Sequence, residues 1–336
     1  MRAAAALLLL LASWPAQALT CALSAVNPVD FGAPSPLDAV HADVSSTYTV
    51  TCQAPKSEIP GAVGTTRTVN LCASYDNGSA GASAGGNRQL VNGADNALYD
   101  LYTDGAYGPA HWGNRNGAPT GTVAQGQVTL VKSAGGGGST APGSATFTAF
   151  ARLFGGQTVL RPATYTSSLN VTVDAFWADV KSDCAPGGAV ESAASSAQLA
   201  TVTYQSECRV GTISSLEFGT SGFIASSIDA ATSVSVTCTN TTPFKVGLSP
   251  GNAAGATTSS RKMTRTAPPL STIDYGLYRD PARTQNWGND TAGGTDTHNG
   301  DGSGTAGSYP IYGRVPPQAT PEPGDYQDTV VLTVAF

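Results

Sequence analysis

The clearest alternation of apolar and polar positions lies in the C-terminal stretch from Gly324 to Phe336, where Val330, Leu332, Val334 and Phe336 fall on one side with a period of two. These residues are β-branched, branched or aromatic, and the pattern predicts a half-buried strand. Pro323 and Gly324 punctuate its start, and the sequence stops at Phe336. The expectation is a sheet whose last buried strand has an unpaired apolar edge, an aggregation hazard unless another chain covers it. A second alternation spans 196–207, where Ala200, Val202 and Tyr204 alternate with Leu199, Thr201 and Thr203. Short Val/Thr/Tyr runs separated by turn formers recur throughout, predicting an all-β protein. No run approaches the ~20 apolar residues of a spanning helix.

The chain repeats itself. Cys21 with Phe31-Gly32 matches Cys208 with Phe218-Gly219, and Val50-Thr51-Cys52 matches Val236-Thr237-Cys238. Leu101-Tyr102, Trp112-Gly113-Asn114, Phe150-Ala151-Arg152 and Val171-Thr172-Val173 find counterparts in Leu277-Tyr278, Trp287-Gly288-Asn289, Tyr312-Gly313-Arg314 and Leu332-Thr333-Val334. The reading is one domain used twice: domain 1 over 19–184, domain 2 over 207–336, and between them a linker, 185–206, with a candidate donor strand. Residues 185–196 are small, polar and patternless, so they are expected to be flexible. The alternating part that follows either fills a missing strand of domain 1 in cis or serves as plain linker.

Domain 1 carries two insertions. From Cys52 to Leu71 is 19 residues, against 10 from Cys238 to Leu248, and Asn114 to Phe150 is 36, against 23 from Asn289 to Tyr312. Loops private to one repeat are better binding candidates than residues shared by both. They contain Ile59, Pro60 and Val63 in the first insertion and residues 131–144 in the second, with Tyr107 as a further candidate surface residue. Trp112 and Trp287 occupy matching places and are read as scaffold.

An apolar run after Arg2, ending in the small-x-small site Ala16-Gln17-Ala18, reads as a secretory signal over residues 1–18. Six cysteines, Cys21, Cys52, Cys72, Cys184, Cys208 and Cys238, then imply disulfides formed in an oxidising compartment. Six allow fifteen pairings. Repeat symmetry selects Cys21–Cys52 and Cys208–Cys238, and elimination leaves Cys72–Cys184, unique to domain 1. Charged residues make up only 12%, and the net charge of −6 argues against a nucleic-acid partner. His41, His111 and His298 lack metal spacing and are read as exposed loop residues. The Asp296–Gly304 segment is a turn cluster rather than a calcium loop, because His298 spoils the second ligand position. No nucleophile elbow or phosphate loop is present, so neither an enzyme nor a cofactor is expected.

The cysteine, Phe-Gly and Val-Thr-Cys landmarks, followed by Arg261-Lys262-Met263, Tyr275 to Tyr278, Trp287-Gly288-Asn289, Tyr312-Gly313-Arg314 and Gly324-Asp325-Tyr326, resemble the spore coat protein U domain family. The resemblance is close over domain 2 and weaker over domain 1, which has Asn87-Arg88-Gln89 where domain 2 has Arg-Lys-Met. It implies two immunoglobulin-like β-sandwiches, the C-terminal one lacking its last strand. That strand would be supplied first by a periplasmic chaperone and then by an adjacent pilin subunit at an outer-membrane usher. Val330, Leu332, Val334 and Phe336 would line the donor-strand groove or the chaperone contact. With only Leu19-Thr20 before Cys21, the chain is expected to accept a strand and give none, as a tip adhesin of an archaic chaperone–usher pilus would, secreted to the cell surface. A secreted spore- or cell-coat protein of the protein U type is the alternative.

Overall fold

In the computed structural model, residues 18–109 and 111–336 are described. The leader read over 1–18 therefore lies, apart from Ala18, outside the described residues. The protein is all-β, built as two sheet bodies.

Domain 1 contributes β1 (Thr20–Ser24), β2 (Val29–Asp30), β3 (Ala42–Gln53), β4 (Thr66–Tyr75), β5 (Arg88–Asn92), β6 (Asp95–Tyr102), β7 (Ala124–Val131), β8 (Gly143–Leu153), β9 (Ala163–Trp177) and β10 (Ser192–Tyr204). One layer runs β1-β3-β8-β6-β5; the other has β4 between β7 and β9, with β10 beyond β9 and β2 at the rim. A single pairing, Val91 with Thr166, curls one layer into the other. Side chains of one parity turn inward. Tyr48, Val50, Tyr99 and Phe147 of the first layer meet Leu71, Ala73, Val171 and Val173 of the second in one buried cluster.

Domain 2 contributes β11 (Cys208–Ile213), β12 (Ile228–Cys238), β13 (Pro243–Leu248), β14 (Arg261–Arg265), β15 (Thr272–Tyr278), β16 (His298–Asp301), β17 (Ala306–Val315), β18 (Tyr326–Gln327) and β19 (Leu332–Ala335). Its layers are β11-β12-β17-β15-β14-β18 and β16-β13-β19. β13 sits between β16 and β19 as β4 sits between β7 and β9. The predicted strand over 324–336 is interrupted, and only its two ends pair.

The two bodies share a frame that the sequence alignment placed slightly out of step. Ala73 pairs with Val173, and Val246 with Val334. Leu71 and Tyr75 thus correspond to Phe244 and Leu248, and the first insertion is larger than the Leu71–Leu248 match implies. Arg88 is the counterpart of Arg261 and no departure: both are buried, and both donate from Nη2 to the carbonyl of the repeat's tryptophan, Trp112 at 2.6 Å and Trp287 at 2.7 Å. The indole nitrogens donate at 2.8 Å to Ala73 O and Val246 O. A buried guanidinium needs such partners. Arg88 also has Asp100 at 2.5 Å, whereas Arg261 relies on carbonyls alone, and burial lowers its pKa. Three disulfides join Cys21 to Cys52, Cys72 to Cys184 and Cys208 to Cys238.

The segment expected to be a flexible linker is part of domain 1. Arg115 is buried, donates to the carbonyls of Ala185 and Gly187, and pairs with Asp174 at 2.7 Å. Cys184 anchors the same segment to β4, and the Cys21 amide donates to Ser192 Oγ at 2.9 Å. β10 then begins at Ser192, before the alternation suggested, and pairs antiparallel with β9 over its whole length, Ser192 opposite Ala175 and Tyr204 opposite Ala163. Its Ala200 and Thr201 pair in parallel with Val29 and Asp30 of β2. Only Gln205–Glu207 remain to connect β10 with β11.

Removing the Cys72–Cys184 bridge by a double alanine substitution is expected to lower the stability of domain 1 by about 4 kcal/mol on the chain-entropy account of a loop of this size. Denaturant unfolding checks this, and domain 2 should be unaffected.

Candidate functional site: one closed and one open sheet edge

The same strand position ends in two different environments. In domain 1, β9 lies between β4 and β10, and Leu169, Val171, Val173 and Ala175 are buried. In domain 2 their counterparts are Val330, Leu332, Val334 and Phe336. Among the described residues, β19 pairs with β13 on one side and with no strand on the other. Val330, Leu332 and Val334 pack against the domain 2 core yet stay half-exposed, and Phe336 is 60% exposed.

The difference extends across the layer. β10 inserts Gln198, Ala200, Val202 and Tyr204, all buried, between the two layers of domain 1. Val29 and Phe31, which flank that insertion, are buried. The Phe31 amide donates to Thr201 O at 2.9 Å, and the Thr203 amide to Gly32 O at 2.9 Å. The corresponding Leu216 and Phe218 are only partly buried, and no strand forms where β2 would lie. A separate open cleft of about 680 Å³ lies over β16, β13 and the end of β19, lined by Phe244, Lys245, Asp301 and Phe336. Domain 2 thus presents a row of half-exposed apolar side chains beside a free strand edge.

The insertion loops form a second candidate surface. Thr66 pairs with Val131, Cys52 with Gly143 and Ser192 with Ala175, so the loops before β4 and β8 lie at one pole of domain 1. Tyr204, which leads to domain 2, ends at the opposite pole beside Ala163. The two insertions are stitched together. The Lys56 amide donates to Gly138 O at 2.8 Å, and the Gly64 amide to Lys132 O at 2.8 Å. Lys132 Nζ donates to Ile59 O at 3.0 Å and Gly61 O at 2.9 Å, and Lys56 Nζ to Gly135 O at 3.1 Å. Both ammonium groups are thereby turned onto backbone carbonyls. Val63 is 64% exposed and Val131 41%, beside exposed Pro60 and Ala62.

Two of the sequence-derived surface residues are corrected. Ile59 is buried: it faces the core and supports the loop instead of tipping it. Tyr107 is half-buried and stands apart from the insertions, under the Arg152 guanidinium at 4.0 Å and edge-on to Tyr102. The histidine reading is corrected in two of three cases. His41 is exposed, but His111 Nδ1 lies 2.7 Å from the buried Asp100 carboxylate. His298 is in β16 with its ring 4.3 Å from Trp287, and burial lowers its pKa. Trp112 and Trp287 are fully buried. Asp296 accepts the Asp290 amide within the turn cluster, and no group of potential metal ligands occurs among the described residues. Sequence reasoning missed Arg115 and Gln198. Arg115 is a lone polar residue in a turn-rich segment with no periodicity to mark it as buried, whereas Gln198 is in phase with Ala200, Val202 and Tyr204 and was passed over because it is polar.

The two matched bodies correspond to two matches of one family model. A family model described as the Spore Coat Protein U domain matches residues 6–172 and 194–333, and the chain belongs to that family. No curated protein sequence matches the chain. Among solved structures, a chain of the CsuC-CsuE chaperone-tip adhesion subunit pre-assembly complex from archaic chaperone-usher Csu pili of Acinetobacter baumannii is similar. The likeness covers 94% of this chain and 100% of that one, at 16% identity and a TM-score of 0.52. The CupB6 tip adhesin from Pseudomonas aeruginosa aligns over 95% of this chain and 94% of its own, at 9% identity and a TM-score of 0.34. The first of these likenesses shows a shared fold; the second carries no argument.

Val202→Asp is expected to destabilise domain 1 by about 3 kcal/mol or more, since it loses a buried apolar side chain and desolvates a carboxylate. Val63→Asp should change stability by no more than about 0.5 kcal/mol. Thermal or denaturant unfolding of the two variants checks both.

Proposed function

We propose that this chain is the tip adhesin subunit of an archaic chaperone–usher pilus, joined to the fibre by strand donation into domain 2 and binding surfaces through the far pole of domain 1. The carrying observation is the pair of edges: one body is closed by β10, and its twin has an open edge along β19. Each apolar side chain along that edge contributes roughly 1.5–3 kcal/mol when fully buried, and an added strand also satisfies a row of unpaired backbone groups. The partners follow from the same edge: a periplasmic chaperone that covers it during export, an outer-membrane usher, and a neighbouring pilin that takes over.

β10, the stretch with a donor's alternation, is consumed inside its own domain, which suits a subunit at the end of a fibre. The far pole suits adhesion because it exposes Pro60, Ala62 and Val63 while its lysines are engaged with carbonyls. A contiguous apolar tip favours apolar or abiotic surfaces. The role is binding, not catalysis, and its site is the cell surface. The coat-protein reading draws on the family match alone and gives the open edge no partner.

Leu332→Asp should abolish chaperone-assisted secretion and incorporation into pili while leaving surface binding by domain 1 intact. Pilus fractions probed for the subunit decide this, and a Leu332→Asp chain that still assembles would reject the donor-strand reading. Val63→Asp should leave assembly normal and reduce attachment of piliated cells to polystyrene several-fold; unchanged attachment would remove the insertion pole from the binding role.

A further inference from the structure

The closed body shows what its own groove demands of a donor. Gln198 is 1% exposed at the centre of β10, opposite Leu169. Tyr75 Oη donates to its Oε1 at 2.6 Å, while its Nε2 donates to Asn27 O at 2.6 Å and Ser46 Oγ at 2.9 Å. Burial raises the Tyr75 pKa, so the phenol stays protonated and able to donate. Every polar atom of this buried amide is satisfied.

The open groove differs at the position facing this amide. The counterparts of Asn27 and Ser46 are Ser214 and Thr232, and they keep the local pairing: Thr232 Oγ1 donates to Ser214 O at 3.2 Å as Ser46 Oγ donates to Asn27 O at 2.7 Å. The counterpart of Tyr75 is Leu248, which is buried, and that of Tyr48 is Val234, which is smaller and also buried. A glutamine placed opposite Val330 would lose its Oε1 donor against Leu248. An apolar side chain there would leave no polar group unpaired, since Thr232 already satisfies Ser214 O.

Resting on the acceptor reading above, we infer that the domain 2 groove selects a donor strand with a bulky apolar residue opposite Val330 and discriminates against β10 and its glutamine, the discriminating pair being Tyr75 in one groove and Leu248 in the other. The chain therefore carries two acceptor grooves addressed by different donors. The β10 of a second copy is a poor ligand for domain 2, so the difference at this pair disfavours self-assembly through exchanged strands.

The test uses the full chain from residue 19 onward and two labelled synthetic peptides: residues 192–204 as they stand, and the same peptide with Gln198→Leu. Because β10 occupies the domain 1 groove, fluorescence polarisation reports on domain 2, and a Leu332→Asp chain that no longer binds either peptide confirms the location. The Gln198→Leu peptide is expected to bind roughly tenfold or more tighter than the native one, the size of one lost buried hydrogen-bond partner. Equal or weaker binding of the Gln198→Leu peptide would overturn the inference while leaving domain 2 an acceptor. Binding of neither peptide would overturn the acceptor reading and this inference together. Undiminished binding to the Leu332→Asp chain would place the peptide elsewhere and overturn it as well.

Discussion

A strand edge with an apolar face beside it has to be covered, and the architecture of this protein turns on how that requirement is met twice. Backbone N–H and C=O groups along an open edge template further pairing, and the side chains between the layers stay partly wet until a strand arrives. In domain 1 the cover is β10, held by the Cys72–Cys184 bridge and by Arg115 on the carbonyls of Ala185 and Gly187. The connector that delivers β10 is thus pinned at several points, which confines the strand near its groove and makes internal completion effectively intramolecular. In domain 2, β19 has β13 on one flank alone among the described residues.

The rest of each body is built so that this difference can exist without collapse. A buried arginine, Arg88 or Arg261, ties the strand it sits on to the carbonyl of a buried tryptophan, and that tryptophan's nitrogen returns to the central strand of the second layer. The same bonds join the layers in the closed body and in the open one, where half-buried side chains line the space beside β19.

The two surfaces proposed to act are placed apart by the same topology. In domain 1 the insertions project from the pole where β4 and β8 begin, while β10 runs from that pole toward domain 2. Their lysines donate to internal carbonyls, which ties the two loops together and directs both ammonium groups back onto the backbone. The proposed fibre attachment and surface contact would then make no competing demands on one set of residues.

The all-β class, the doubling of the domain and the disulfide partners were readable in the sequence, because period-two alternation and matched landmarks are local signals that tertiary context rarely reverses. Val330, Leu332 and Val334 could be placed beside the core for the same reason. Three things were decided only in three dimensions. Ile59 is buried and Val63 exposed although both sit in one loop of the same character, since loop burial depends on what packs beneath it and leaves no period. Arg88 was the equal of Arg261, hidden by an insertion whose length only strand register could settle. The segment 185–191 is made of small, turn-forming residues, as a linker would be, yet a buried guanidinium far away in sequence fastens it. That long-range contact, with the Cys72–Cys184 bridge, fixes the connector that leads into β10, and no pattern within β10 could have revealed it.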